Sequence, residues 1–230
     1  MVPFLKIVGW WMLFGGSHIA GSSRVVRSAL VNKLGLKAFK ALYCAVAYAT
    51  FIPLCIAYAH ARHLGPSLFE PTAGLQLAAQ LLVLAGFIGL VQSQLTPNPM
   101  STVAELSGRY RNQPTGVQRI TRHPMNFSFG LIALGHVLAN PFLTDAAFWS
   151  GFIVYGVLSA KHQDDRIRET GPEAAREFLA ATSAVPFAAM LRGKQSLGLG
   201  EYHRGGLVAA TVACAVVRAF HSSIFGGFGG

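Results

Sequence analysis

Charge is scarce in this chain: Asp, Glu, Lys and Arg make up only 12% of its 230 residues, against 52% hydrophobic residues and a mean hydropathy of +0.44. A soluble domain carries roughly 25% charged residues. The composition therefore excludes an ordinary water-soluble globule and points to an integral membrane protein. Cysteine is scarcer still. Cys44 and Cys55 share one face of an apolar stretch and Cys214 lies in another. Three scattered thiols make neither a disulfide framework nor a CxxC metal pair, and they read as small buried hydrophobes. Low-complexity tracts, repeats of about 20–50 residues and long linkers are missing too, so residues 1–230 read as a single transmembrane domain. The first apolar segment has one lysine, Lys6, and no small-residue cleavage site before the arginines that follow. It is expected to be a retained span and not a cleaved leader.

Six apolar stretches approach the length that a helix rising roughly 1.5 Å per residue needs to cross a hydrocarbon core about 30 Å thick. They lie near 3–21, 41–59, 73–95, 125–140, 144–160 and 206–221. The fold class is thus all-α, a polytopic bundle of about six transmembrane helices. The fourth and fifth stretches are short and are expected to begin in the interface or to stand behind their neighbours. The net charge of +10 resembles a nucleic-acid footprint only until its distribution is read. Sixteen of the nineteen Lys and Arg residues fall in the alternate segments 22–40, 96–124 and 161–205. That alternation is the positive-inside rule for six spans, so no nucleic-acid partner is expected. Both termini would face outward, and the basic loops the cytoplasm, matrix or stroma, in a bacterial inner membrane or an organellar one.

The longest interruption, "TPNPMSTVAELSGRYRNQPTGVQRITRHP", has prolines at 97, 99 and 114 and glycines at 108 and 116, which forbid a continuous helix. It reads as a structured inner loop, with Pro124 in the first turn of the next helix. Downstream, Glu173, Ala174, Glu177, Phe178 and Ala181 recur at helical spacing. This predicts a short amphipathic helix that starts at Pro172, ends by Pro186 and lies along the inner membrane surface. Gly15, Gly16, Gly86, Gly89, Gly130, Gly135, Gly151 and Gly156 would let helix backbones, or a flat ligand, come close. The closing "FGGFGG" reads as a flexible end.

An ionisable side chain at membrane depth is costly, so it marks a functional site by default. His18, behind "FGG" in the first stretch, and His136, within "TRHPMNFSFGLIALGHVLAN", qualify. Burial favours neutral imidazole, the form that ligates metals. Trp11, Phe14 and Gly15 lie on the His18 face; Phe129, Ile132 and Ala133 lie on that of His136. The pair suits axial ligation of haem b between two helices; alternatively, each imidazole hydrogen-bonds a neighbouring helix. On a rise of roughly 1.5 Å per residue, His18 lies about 10 Å from the inner boundary and His136 about 20 Å from His123, so a shared iron needs a tilted ring or offset helices.

A second constellation pairs "RITRHP" with "HQDDR". Arg119, Arg122 and His123 enter the inner interface where Lys161, His162, Asp164, Asp165 and Arg166 leave it. An antiparallel hairpin through "NPFLTD" would join them. They form an interfacial ion-pair belt, or a holder for anionic groups such as haem propionates or a cofactor phosphate. His60, His63, His203 and His221 read as loop or helix-end residues at the surface.

At these residues the chain resembles the NnrU family of membrane proteins, which includes plant and cyanobacterial zeta-carotene isomerase. The ordered pieces are His18, "LVNKLGLKAFKALY", "TRHP", "GHVLAN", "HQDDR", "TSAVPFAAMLRGKQSL" and "FHSSIFG". After His18 the sequence departs from the isomerase's more glycine-rich version and reads "IAGSSRVVR". The resemblance implies haem b held by His18 and His136, with Arg119, Arg122, His123, His162 and Asp165 near its polar edge, and cis–trans isomerisation of a hydrophobic polyene without net redox change. "RHPMN" also resembles the isoprenylcysteine and phospholipid methyltransferases, which implies S-adenosylmethionine beside the Asp164 and Asp165 pair. A third reading is a non-catalytic accessory subunit of a respiratory or photosynthetic membrane complex. Membrane lipids and a hydrophobic small molecule are the partners these readings share.

Overall fold

The computed structural model describes residues 1–225; the glycine-rich end beyond them lies outside the described residues. Its elements are helices, in the order α1 (Val2–Ser22), α2 (Arg24–Leu34), α3 (Leu36–Ala59), α4 (Ala73–Leu95), α5 (Thr102–Ser107), α6 (Pro124–Ala139), α7 (Leu143–Thr170), α8 (Glu173–Ala181), α9 (Ala188–Leu191), α10 (Arg204–Ala219) and α11 (His221–Phe225), with 3-10 turns at Gly116–Arg119 and Leu199–Glu201. No strand occurs among the described residues.

Three helices, Leu36–Ala59, Ala73–Leu95 and Leu143–Thr170, are long and apolar enough to cross a membrane. Of the other three expected spans, α6 and α10 have 16 residues each. The 21-residue α1 has the length, but Lys6, His18, two tryptophans and its glycines and serines dilute its hydropathy. The fifth stretch is longer than expected. Its helix continues through "KHQDDRIRET" to Thr170, because Lys161–Asp165 and Arg168–Asp165 pair along the helix at i,i+4 and i,i+3.

The polarity of the bundle suits a lipid solvent. Large apolar side chains such as Met12, Ile52, Leu77, Leu81, Val154 and Val157 face outward, while Gln92, Ser128, Thr144 and Asp145 are buried. Backbone and side-chain polar groups must find partners inside, since hydrocarbon offers none.

The α4–α6 contact is the most extensive helix pair, and it depends on glycine. A Cβ on Gly86 would stand 2.8 Å from the Ser128 carbonyl oxygen, and one on Gly135 2.7 Å from that of Ala79. Gly151 likewise leaves room for the Trp11 indole, whose Nε1 donates to the Phe148 carbonyl at 3.1 Å. Gly16 and Gly130, expected to serve the same purpose, face open space.

Two apolar cores result. Ile7, Leu54, Ala61 and Phe148 anchor one among α1, α3 and α7. The other caps the end that bears the basic loops, the end expected to face inward, where Ala175, Phe178 and Leu179 of α8 pack on Met100 and Ile167. The amphipathic helix expected along the membrane surface exists, but its apolar face is closed by protein. Cys44, expected buried, is exposed on α3.

Candidate functional site

α6 and α7 do form the expected hairpin, and it brings part of the second constellation together. The His123 Nε2 lies 2.8 Å from Asp164 Oδ1, and the Arg122 Nε 3.0 Å from Oδ2 of the same carboxylate. Arg122 Nη1 also donates to the carbonyls of Leu179 at 2.6 Å and Thr182 at 3.0 Å. All three side chains are buried. Burial pulls the Arg122 guanidinium below its ordinary value, and the Asp164 charge offsets only part of that. The Arg122 donors thus tie the start of α6 to α7 and to the end of α8, which makes it a structural clamp.

The remaining members separate. Arg119 grips Glu201 through Nε at 2.8 Å and Nη2 at 2.6 Å, and donates from Nη1 to Gln195 at 2.9 Å. The Arg119 hydrogen bonds, then that from the Gly116 N–H, hold the Glu201 carboxyl down at about 2. Its anion is therefore this chain's own carboxylate. Asp165 faces solvent beside Lys161 and Arg168. The acidic pair is split: Asp164 is buried and Asp165 is not, so they do not make the single acidic site a methyltransferase reading requires. The His162 Nε2 is buried without a hydrogen-bond partner.

A cavity of about 1170 Å³ opens among α1, α3, α7 and the inner loop. His18, Tyr43 and Tyr155 line it at depth, and His123 and His162 border it toward the inner end. The His18 ring packs 4.3 Å from that of Tyr43, 5.5 Å from Phe14 and 5.7 Å from Tyr155, centre to centre. Tyr43 donates its hydroxyl to the His18 carbonyl at 2.7 Å, which fixes the helix carrying the imidazole. The mouth is basic: Arg27, Lys40 and Arg166 converge on Glu105 of α5, Lys40 at 2.5 Å and Arg166 at 3.6 Å. Burial raises the Glu105 carboxyl, but the Lys40 hydrogen bond and the charges of Lys40, Arg27 and Arg166 outweigh it and hold the group below its usual range.

His136 is elsewhere. It does not line this cavity. Its ring stacks on Trp149 at 3.8 Å, its Nδ1 donates to the Ile132 carbonyl at 2.8 Å, and its nearest imidazole is that of His221 at 6.3 Å. Thirteen residues of α6 separate it from His123, about 20 Å along the axis at roughly 1.5 Å each. The two imidazoles expected to share one iron therefore stand at different depths, His18 beside Tyr155 and His136 beside Trp149 one to two turns away on α7, and only His18 lines the cavity. Haem b held between His18 and His136 does not fit this arrangement.

The opposite end, expected to face outward, holds a network that the sequence did not reveal. Asp145, fully buried, accepts from the Tyr58 hydroxyl at 2.8 Å and from the His63 Nδ1 at 2.9 Å, and Trp149 donates to the Tyr58 oxygen at 3.0 Å. His63, read as a surface residue, is thus tied to a buried carboxylate and adopts a left-handed backbone at φ 58°. Its signal was available: an acid in the first turn of an apolar helix needs a partner. Tyr43 and Tyr155 carried a fainter signal, as polar-tipped aromatics within apolar stretches.

Residues 6–227 match the family described as NnrU protein. The chain belongs to the NnrU family. It is 25% identical over 172 residues to a protein of Zea mays named 15-cis-zeta-carotene isomerase, chloroplastic, covering 74% of this chain and 46% of that protein. Its namesake in Arabidopsis thaliana is also 25% identical, over 166 residues, covering 71% of this chain and 45% of that protein. This NnrU-family chain therefore spans about half the length of the curated relatives it matches. No solved structure matches it.

Proposed function

We propose that this chain is a multi-pass membrane protein that isomerises a cis double bond of a hydrophobic polyene within the inner cavity. The observation that carries the reading is the His18 cavity, whose depth is lined by Tyr43, Tyr155 and Phe39 and which is large enough for an extended apolar ligand. Ligand pockets ordinarily span about 300–1,000 Å³. Kinship with proteins named as 15-cis-zeta-carotene isomerases supplies the substrate class.

Cis–trans isomerisation changes neither composition nor electron count, so the chain has to bind the polyene, exclude water and lower the barrier to rotation. Aromatic faces around His18 suit that task, because any positive character that develops along a twisting polyene is stabilised by ring quadrupoles. The bundle would lie in an inner or organellar membrane with six spans, α1 and α6 packed against the longer helices and the basic loops on the cytoplasmic, matrix or stromal side. Lipid and the polyene are its partners in this reading.

The test is expression in cells that accumulate a 15-cis polyene in darkness, with isomers resolved by chromatography. Conversion is expected with the natural chain and is expected to fall on Ser159→Trp, which fills the cavity wall. Absence of conversion by a chain that purifies folded and monodisperse would overturn the assignment.

A further inference from the structure

The mouth of the inner cavity carries more charge than a hydrocarbon substrate calls for. Five cations line the cavity, Arg27, Lys40, Arg109, Arg111 and Arg166, and no Asp or Glu does. Glu105 pairs with Arg27, Lys40 and Arg166 but does not itself line it. That one carboxylate leaves a strong excess of positive charge. Arg109 and Arg111 are exposed, and their guanidinium groups form no ion pair or hydrogen bond among the described residues. At the same end His162 lines the cavity, with its Nε2 buried and unpartnered. Like charges gathered at one opening repel one another, and an anion seated there relieves that repulsion.

The form of the cavity selects the kind of anion. Its cations come from four separate segments: α2, α3, the loop after α5, and α7. The positive-inside rule requires basic residues at this end, but not that they gather at one opening. Lys33 and Arg192, equally basic and exposed, lie outside the cavity. Guanidinium groups hold phosphate oxygens through paired hydrogen bonds. Beyond the charges the lining turns apolar and aromatic, with Ile19, Phe39, Tyr43 and Tyr155. A free phosphate would use only the mouth, and a hydrocarbon only the depth. A phosphate head on an apolar tail uses both.

We propose that the cavity mouth is a binding site for an anionic phospholipid of the surrounding bilayer, its phosphate held by Arg109 and Arg111 and its apolar part directed into the cavity. Arg27, Lys40 and Arg166, already paired with Glu105, add to the attraction at longer range. The site is defined by the cavity and its charges and does not depend on the isomerase reading. Lipid retention is measured without any polyene, so failure of one reading leaves the other standing.

The experiment is native mass spectrometry of the full chain in a neutral detergent, titrated with phosphatidylglycerol or with phosphatidylcholine of identical chains. The natural chain is expected to retain one phosphatidylglycerol in preference to phosphatidylcholine. A basic side chain beside an anionic headgroup contributes about fivefold in affinity. The double variant Arg109→Gln/Arg111→Gln is therefore expected to weaken retention roughly 10- to 30-fold. Lys33→Gln/Arg192→Gln removes the same charge from the same end but outside the cavity, and is expected to leave retention nearly unchanged. Inorganic phosphate at the same concentration is expected to leave the lipid bound. Circular dichroism and monodispersity separate loss of lipid from loss of fold. Should the first double variant aggregate, Arg111→Gln alone carries the test, with a loss of about fivefold. Equal retention of the two lipids, equal weakening by the two double variants, displacement by inorganic phosphate, or a folded chain that retains no lipid would each overturn the assignment.

Discussion

Asp164 and His123 stand 2.8 Å apart across the α6–α7 hairpin, and both are buried with Arg122 bearing on the other carboxylate oxygen. Removing the acid leaves Arg122 charged with no counter-ion in a desolvated site. Breaking such a buried pair costs about 3–5 kcal/mol. Asp164→Ala is therefore expected to lower the thermal midpoint in detergent sharply, while Asp164→Asn, which keeps an acceptor for His123, is expected to lower it less. Equal midpoints for natural chain and Asp164→Ala would show that the clamp contributes nothing.

Glycine at the α4–α6 contact gives a paired comparison. Gly135→Ala pushes a methyl to 2.7 Å from the Ala79 carbonyl oxygen, a backbone atom that cannot swing away. Overpacking of this kind costs about 1–3 kcal/mol. Gly130→Ala, on the same helix with open space around it, is expected to be neutral or slightly stabilising, since alanine favours helix over glycine by about 1 kcal/mol. The melting midpoint should fall in Gly135→Ala and hold or rise slightly in Gly130→Ala.

Much of the helix map was legible because apolar runs end abruptly: 73–95 coincides with Ala73–Leu95, and 125–140 with Pro124–Ala139 to within a residue. The α7 extension was not, because its last turns read as charged loop until the Lys161 and Arg168 pairs with Asp165 are seen on the helix. Nor was α2, which has no buried residue to give it an apolar signature. Among candidate residues, those joined by a short hairpin were read together, as with His123 and Asp164. Partners distant in sequence were not: Glu201 lies 82 residues from Arg119, and depth along each helix says nothing of which helix stands beside it. That is why His18 and His136 were paired across a bundle that separates them.

Glu105 is a pin for the inner loop. Arg27 of α2, Lys40 of α3 and Arg166 of α7 all reach its carboxylate, and α5 borders the cavity mouth. Glu105→Gln removes the charge they share while keeping the shape. In a background with Cys44, Cys55 and Cys214 replaced, a cysteine substituted for the buried Ala104 is expected to react slowly with a polar maleimide, and several-fold faster once Glu105→Gln is added. Unchanged labelling would mean that packing alone holds the loop.

The Arg119–Glu201 pair predicts an acid-sensitive tether. With its folded-state value lowered to about 2 by Arg119 and the Gly116 N–H, Glu201 contributes stability that is present above the ordinary carboxylate range. That contribution falls away as pH drops from about 4.5 toward 2. Because the pair is partly exposed, it is worth less than about 1 kcal/mol and weakens with salt. The protection of the Gly116 and Glu201 amides against hydrogen exchange, taken relative to the intrinsic rate at each pH, should fall over that window in the natural chain and show no such step in Glu201→Gln.

The outer network orders three further variants by how many of its hydrogen bonds each removes. Tyr58→Phe removes one donor to Asp145 and the acceptor for Trp149, and leaves His63 on the carboxylate. Asp145→Ala removes the acceptor shared by the Tyr58 hydroxyl, the His63 Nδ1 and the His63 backbone N–H, and with it the support for the left-handed backbone of His63. Each hydrogen bond lost from such a network costs about 0.5–1.5 kcal/mol, and more where a charged group loses its partner. Trp149→Phe removes only the donor to Tyr58 and keeps an aromatic face under His136. Thermal midpoints are therefore expected to fall least for Trp149→Phe, further for Tyr58→Phe and furthest for Asp145→Ala. If Asp145→Ala instead matched Trp149→Phe, the carboxylate would have to be satisfied by something other than these side chains.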